Sequence, residues 1–167
     1  MQTQLPVTLL LVVLAGRLPA QTPPDTGFAA LQQRGKMVMG VDQYTSAHRF
    51  DDLADGGRIV LTRSPEDTAG VHAIRAHLAE IARAFAAGDF GHTMMVHQRT
   101  LPGTTVMRER RAAITYQMDT LPGGGAVRIT TRDSTALRAI HEFLAAQRGE
   151  HHSAGATLDS ASAPHRR

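Results

Sequence analysis

The chain carries FDDLADGGRIVLTR at residues 50–63 and a related stretch, MDTLPGGGAVRITT, at residues 118–131. Each stretch holds two runs of strand-forming residues on either side of a glycine-containing turn, which predicts a β-hairpin. Within the first copy Ile59 and Leu61 share one face of the predicted sheet, as Val127 and Ile129 do in the second. The sequence therefore predicts two hairpins of the same design.

A helical pattern follows each hairpin. After Asp67 and after Asp133, apolar residues recur at the three- and four-residue spacing of an amphipathic helix. They are Val71, Ile74, Leu78, Ile81 and Phe85 in the first unit and Leu137, Ile140 and Leu144 in the second. We expect an α+β fold, a tandem ββα repeat over about residues 44–88 and 112–150, forming a four-stranded antiparallel sheet with two helices on one face.

Outside the repeat, the chain is predicted to have three further parts. Residues 1–20 contain an apolar run too short to span a bilayer, which favours a cleaved signal peptide and a periplasmic or secreted location. A membrane tether, or a cytosolic chain starting at Met37 or Met39, is the alternative. Residues 21–36 are predicted to be a linker, residues 37–150 a single α+β domain, and residues 151–167 a disordered, histidine-containing tail. No stable membrane span is expected after signal cleavage.

The connection between the two units, residues 88–112, is long for a loop. We predict a short strand at Met94–His97 and a short helix at Thr104–Arg111. Long connections often carry binding residues, so this segment is a candidate part of a functional site.

Composition narrows the classes of function. The chain has no cysteine, which excludes thiol chemistry and thiolate metal sites. A net charge of +3 and 4% aromatic residues give no basis for nucleic-acid binding. Nine histidines and seven methionines are the distinctive feature. Imidazole with thioether suits copper, and imidazole alone suits zinc.

Six residues are candidate metal ligands: His48, His77, His97, His141, Met94 and Met95. By alternation His48 faces the helices, and by helical spacing His77 and His141 lie at the edge of the apolar stripes. The repeat matches His48 with Tyr116, His77 with Phe143 and His141 with Arg75. The alternative for each histidine is a boundary residue that hydrogen-bonds to backbone or carboxylate, and for each methionine a core filler.

Two functions follow as hypotheses. The first is an exported binding protein for copper or zinc. The second is a non-catalytic interaction module that dimerises through the open sheet face, where Val60, Thr62, Arg128 and Thr130 lie. A histidine could serve as a general base, but no nucleophile motif such as Gly-x-Ser-x-Gly accompanies it, so enzymatic activity has little support.

Several short motifs also resemble a known family. They include Met39-Gly40-Val41-Asp42-Gln43, the Gly56-Gly57 pair, Ile74-Arg75-Ala76-His77-Leu78, Gly88-Asp89-Phe90, Pro102-Gly103 and Ala139-Ile140-His141-Glu142-Phe143-Leu144. Over residues 39–151 the chain resembles small uncharacterised bacterial proteins that are often labelled aspartate carbamoyltransferase. That activity is not supported, because the Ser-Thr-Arg-Thr phosphate loop of true carbamoyltransferases is missing. The resemblance implies that His48, His77, His97 and His141 belong to the family pattern, without giving them a role.

Overall fold

A computed structural model describes residues 26–153 of the chain. Its helices are α1 (Thr26–Met39), α2 (Thr68–Ala86), α3 (Gly91–His97), α4 (Thr104–Glu109) and α5 (Ser134–Glu150). Its strands are β1 (Ala47–Leu53), β2 (Gly56–Thr62), β3 (Ile114–Leu121) and β4 (Gly124–Thr131), and 3₁₀ turns lie at Gln43–Thr45 and Arg111–Ala113. The predicted signal peptide, and the predicted tail beyond Ser153, lie outside the described residues.

The sheet is four-stranded and antiparallel, with the order β1-β2-β4-β3. Each hairpin closes through a two-residue turn, and the two units meet where β2 pairs with β4. At the centre of that pairing Ile59 lies opposite Val127, which is its own counterpart in the repeat. This register relates the two units by an approximate two-fold axis, and the predicted α+β fold is confirmed.

The two long helices cover one face of the sheet. Helix α2 packs on β3 and β4, and α5 packs on β1 and β2. Close approach depends on strand glycines, because a Cβ on Gly57 would lie 2.2 Å from Leu144 and one on Gly125 would lie 3.1 Å from Leu78. These contacts are equivalent in the two units. Gly57 and Gly125 lie in β2 and β4 rather than in the turns, so they allow the helices to approach the sheet instead of forming the turns that the sequence predicts.

Acidic caps begin both helices where the sequence predicts them. The Asp67 carboxylate accepts a hydrogen bond from the backbone N–H of Gly70, and Asp133 accepts from Thr135 and Ala136. Each cap satisfies backbone N–H groups that the first helical turn leaves unpaired. The capping hydrogen bonds therefore define where α2 and α5 begin.

Two segments differ from the sequence prediction. The linker expected over residues 21–36 is a helix from Thr26 onward, and it packs on α3 and α2 through buried residues such as Leu31. The segment Met94–His97, where the sequence predicts a strand, is part of helix α3. At the start of this helix the Asp89 carboxylate accepts a hydrogen bond from the backbone N–H of Gly91. A short apolar run is compatible with either a strand or a packed helix, and in this segment the tertiary contacts favour the helix.

Ion pairs occupy the outer face of the sheet. Asp51 pairs with Arg49 and Arg58, and Arg128 pairs with Asp55. The predicted homodimer through this face stays a prediction. Within residues 26–153, no helix has both the length and the apolar character needed to cross a membrane.

Candidate functional site

A cavity of about 80 Å³ lies between the helices and the sheet on the side of β1 and β2. Apolar side chains such as Phe50, Ile59 and Leu78 form much of its wall. Five of the histidines that the structure describes also line it, together with one buried methionine: His48, His77, His92, His97, His151 and Met39. We call this space the imidazole cavity.

His48 and His151 stack on each other, with ring centroids 5.0 Å apart and planes inclined by 18°. Burial, and secondarily the charge of His77, lowers the pKa of His48 to about 4. Burial also lowers the pKa of His151 to about 3, with a smaller contribution from neighbouring histidines. Both rings are therefore neutral at pH 7, and each keeps a nitrogen lone pair that can accept a proton or bind a metal.

A carboxylate orients His97. The His97 side chain is only 1% exposed, and its Nδ1 lies 2.5 Å from Oε2 of Glu150, whose other oxygen accepts from Arg99. Burial raises the pKa of Glu150, but hydrogen bonds from His97 and Arg99 outweigh it and hold that pKa below its usual value. In the neutral tautomer that donates from Nδ1 to an ionised Glu150, the lone pair is on Nε2. A carboxylate holds metal-ligating histidines in this way in many proteins.

His77 and His92 form a second pair in the wall. Their rings meet edge to face with centroids 6.0 Å apart, and Nε2 of His92 lies 3.4 Å from Oε1 of Glu80. Burial lowers the pKa of His77 to about 4, the charge of His92 lowers it further, and Glu80 opposes the change. His77 is therefore a third neutral imidazole at pH 7.

Two polar atoms of lining residues lack a hydrogen-bond partner among the described residues. They are Nδ1 of His151 and Oε1 of Gln147, and both are buried. A buried polar atom without a partner costs about 1–3 kcal/mol, so such atoms usually meet a water, an ion or a ligand. A bound group that satisfies them is therefore favoured here.

The repeat has other aromatic side chains at the positions of three of these histidines. Counterparts lie 68 residues apart in the strands and 66 apart in the helices. Tyr116 corresponds to His48, Phe85 to His151 and Phe143 to His77. Phe85 contacts Tyr116 and Phe143 at centroid distances of 5.9 and 5.8 Å, and Phe90 joins them. We call these four residues the aromatic cluster. One unit places phenyl or phenol rings where the other places imidazoles, and the Tyr116 hydroxyl is itself buried without a partner among the described residues.

His141 does not line the imidazole cavity. Its Nε2 lies 3.0 Å from the carbonyl oxygen of Leu53 and 2.9 Å from that of Gly56, so it donates to the β1–β2 hairpin. Its counterpart Arg75 donates to the equivalent carbonyls of Leu121 and Gly124 in the β3–β4 hairpin. Both residues tie a helix to a hairpin. The structure thus gives His141 the role of a hydrogen-bonding boundary residue.

The two predicted methionine ligands also lie away from the cavity. Met94 and Met95 are 46% and 55% exposed on α3. Met95 lines a shallow surface depression with Arg34, Met37, Val38 and His92. The thioether that does line the imidazole cavity belongs to Met39. Helix α3 turns Met94 and Met95 outward, whereas the strand expected there would have placed them on opposite faces.

Three predicted residues thus come together and three do not. His48, His77 and His97 share the imidazole cavity, which also includes His92, His151 and Met39. His151 belonged to the predicted tail, yet its match with Phe85 in the repeat was a signal that it packs. Within residues 26–153, no three histidine, aspartate or glutamate side chains are already arranged to hold a metal ion.

Comparison with known proteins adds no relative: no family model matches the chain, and neither a curated protein nor a solved structure does. The resemblance described from the sequence motifs therefore stays untested.

Proposed function

We propose that this protein is an exported binding protein whose imidazole cavity takes up a transition-metal ion, copper in preference to zinc. The observation that carries the proposal is the group of neutral, buried imidazoles at positions where the other half of the molecule has phenyl or phenol rings. Neutral imidazole is a good ligand for both metals, because it binds without first releasing a proton.

His97 is the proposed anchor of the site. Glu150 fixes its tautomer and leaves Nε2 as the ligand atom, so no reorganisation of this ring is needed. The His151 ring lies 5.1 Å from that of His97 and also stacks on His48. Rotation of His48 and His151 about their side-chain bonds would bring further imidazole nitrogens to an ion held by His97.

Met39 favours copper over zinc. Its thioether lines the same cavity as the imidazoles, and thioether sulfur is a ligand for Cu(I) rather than for zinc. The apolar wall also suits Cu(I), which carries a single charge and needs fewer polar partners than a dication.

Metal titration of the full-length chain tests the proposal. The variant is His97→Gln with His151→Phe, in which the second change copies the repeat counterpart Phe85. The control is His72→Gln, because His72 is exposed on α2 and does not line the cavity. All three proteins keep His152 and His165, so adventitious binding by these two C-terminal histidines is common to them.

We expect the wild type and the control to bind one equivalent of copper tightly, and the double variant to bind that equivalent at least tenfold more weakly. Isothermal titration with copper and with zinc measures both affinities. If the double variant and the His72 control bind metal alike, the imidazole cavity is not a metal site and the proposal is wrong.

A further inference from the structure

A methionine-lined depression lies on the outer side of the imidazole cavity wall. We call it the mouth depression, and its lining residues are Arg34, Met37, Val38, His92 and Met95. Met37 comes from α1 and Met95 from α3, two helices that pack on each other. Met37 is 72% exposed and Met95 is 55% exposed, so both thioethers are accessible from solvent.

Val38 and His92 line both the mouth depression and the imidazole cavity. They therefore form the wall that separates the two. On α1, Met37 lies outside this wall, and Met39 lies inside it with its side chain buried. From solvent to cavity, the possible ligands are thus the exposed thioethers of Met37 and Met95, then the imidazole of His92, then the buried thioether of Met39 and the remaining imidazoles.

The lining of the mouth depression offers thioether sulfur and imidazole as possible metal ligands. Among the described residues it has no carboxylate, and Arg34 brings a positive charge, so it offers little to Zn²⁺ or another hard dication. Thioether sulfur does not titrate and binds soft monovalent ions such as Cu(I). The guanidinium of Arg34 is held in place by a hydrogen bond, which its Nε donates to the carbonyl oxygen of Val96.

We propose that Met37 and Met95 form an entry site for Cu(I), which passes from them by way of His92 into the imidazole cavity. This inference rests on the proposed function and extends it, because it assigns the side from which Cu(I) enters and the residues that first bind it. No electron is transferred in the step: copper exchanges one thioether or imidazole ligand for the next and remains Cu(I).

The test is the rate of copper uptake by the full-length chain. Cu(I) is supplied as its bathocuproine disulfonate complex under anaerobic, reducing conditions, and loss of the complex's absorbance reports transfer to the protein. The variant is Met37→Leu with Met95→Leu, which removes both sulfurs at exposed positions with little change of volume. Met94→Leu is the matched control, because Met94 is exposed on the same helix but does not line the mouth depression.

We expect the double variant to take up Cu(I) at least tenfold more slowly than the wild type and to reach the same final stoichiometry. The Met94 control should match the wild type, and zinc uptake from a competing chelator should have the same rate in all three proteins. Equal Cu(I) rates in the double variant and the Met94 control overturn the entry site but leave the cavity proposal intact. If the wild type takes up no copper that depends on His97 and His151, both proposals fail.

Discussion

The two ββα units share a fold but fill their cores differently. Around the second hairpin, Tyr116 packs against Phe85 of α2, and Phe143 and Phe90 complete the aromatic cluster. Around the first hairpin, His48 packs against His151, which directly follows α5, next to a cavity. Phenyl and phenol rings fill the one region, whereas imidazoles line a cavity in the other. Each region buries a polar atom that has no hydrogen-bond partner among the described residues, the hydroxyl of Tyr116 in the first and Nδ1 of His151 in the second. The difference separates what stabilises the fold from what is available for binding.

Acid should affect the imidazole half most. The pKa values of His48, His77 and His151 are lowered in the folded protein, to about 4, 4 and 3. The unfolded chain therefore binds protons first as the pH falls, and stability that is complete above about pH 6.5 is lost toward pH 4. By pH 4 each group taken alone accounts for about 3 kcal/mol of this loss, and coupled groups are expected to lose less than the sum.

Chemical denaturation of the metal-free protein between pH 7 and pH 4 measures this loss. The comparison is a variant with the counterpart rings, His48→Tyr, His77→Phe and His151→Phe, whose stability should change much less with pH. A wild type and triple variant with the same pH profile would show that the buried imidazoles do not govern acid stability.

Placing an imidazole in the aromatic cluster should also be costly. In Phe143→His a fully buried ring that contacts Phe85 and Phe90 becomes a smaller polar one. We expect a loss of about 3 kcal/mol in the free energy of unfolding at pH 7, from lost packing and an unsatisfied buried nitrogen.

The reciprocal change His77→Phe should cost less than about 1 kcal/mol, because it replaces a polar ring in a roomy site with an apolar one. Urea denaturation of both variants at pH 7 compares them. Equal losses of stability in the two variants would mean that both halves tolerate such a ring exchange equally, contrary to the difference in packing described above.

The sequence was sufficient to predict the repeat and the sheet, because hairpins and amphipathic helices can be recognised from local residue patterns. The equivalence of His77 with Phe143, and of His141 with Arg75, also follows from the alignment of the two units. The cavity could not be predicted, since it depends on α1 and α3 closing over the sheet. Neither helix has a counterpart in the repeat, and α1 lies where proline and glycine favoured a linker.

Removing the carboxylate that orients His97 should weaken metal binding more than it weakens the fold. Glu150→Gln keeps the shape of the side chain but loses the charge that holds the proton on Nδ1 of His97. We expect copper affinity to fall about 10-fold or more, as for other carboxylate partners of ligating histidines. Copper titration at pH 7 measures the change, with Arg99→Gln as a control that removes the exposed partner of Glu150 alone. Unchanged affinity in Glu150→Gln would remove His97 as the anchor.

The smallest effect is expected where the two halves agree. His141 and Arg75 donate to equivalent hairpin carbonyls, so His141→Arg copies the other unit and should alter the free energy of unfolding by less than about 0.5 kcal/mol. His141→Ala removes the donor and should cost about 1 kcal/mol, because two carbonyls lose a partner. Neither change should affect copper stoichiometry, since His141 does not line the imidazole cavity. Loss of a copper equivalent in His141→Arg, with stability retained, would instead make His141 a ligand and extend the metal site beyond the cavity.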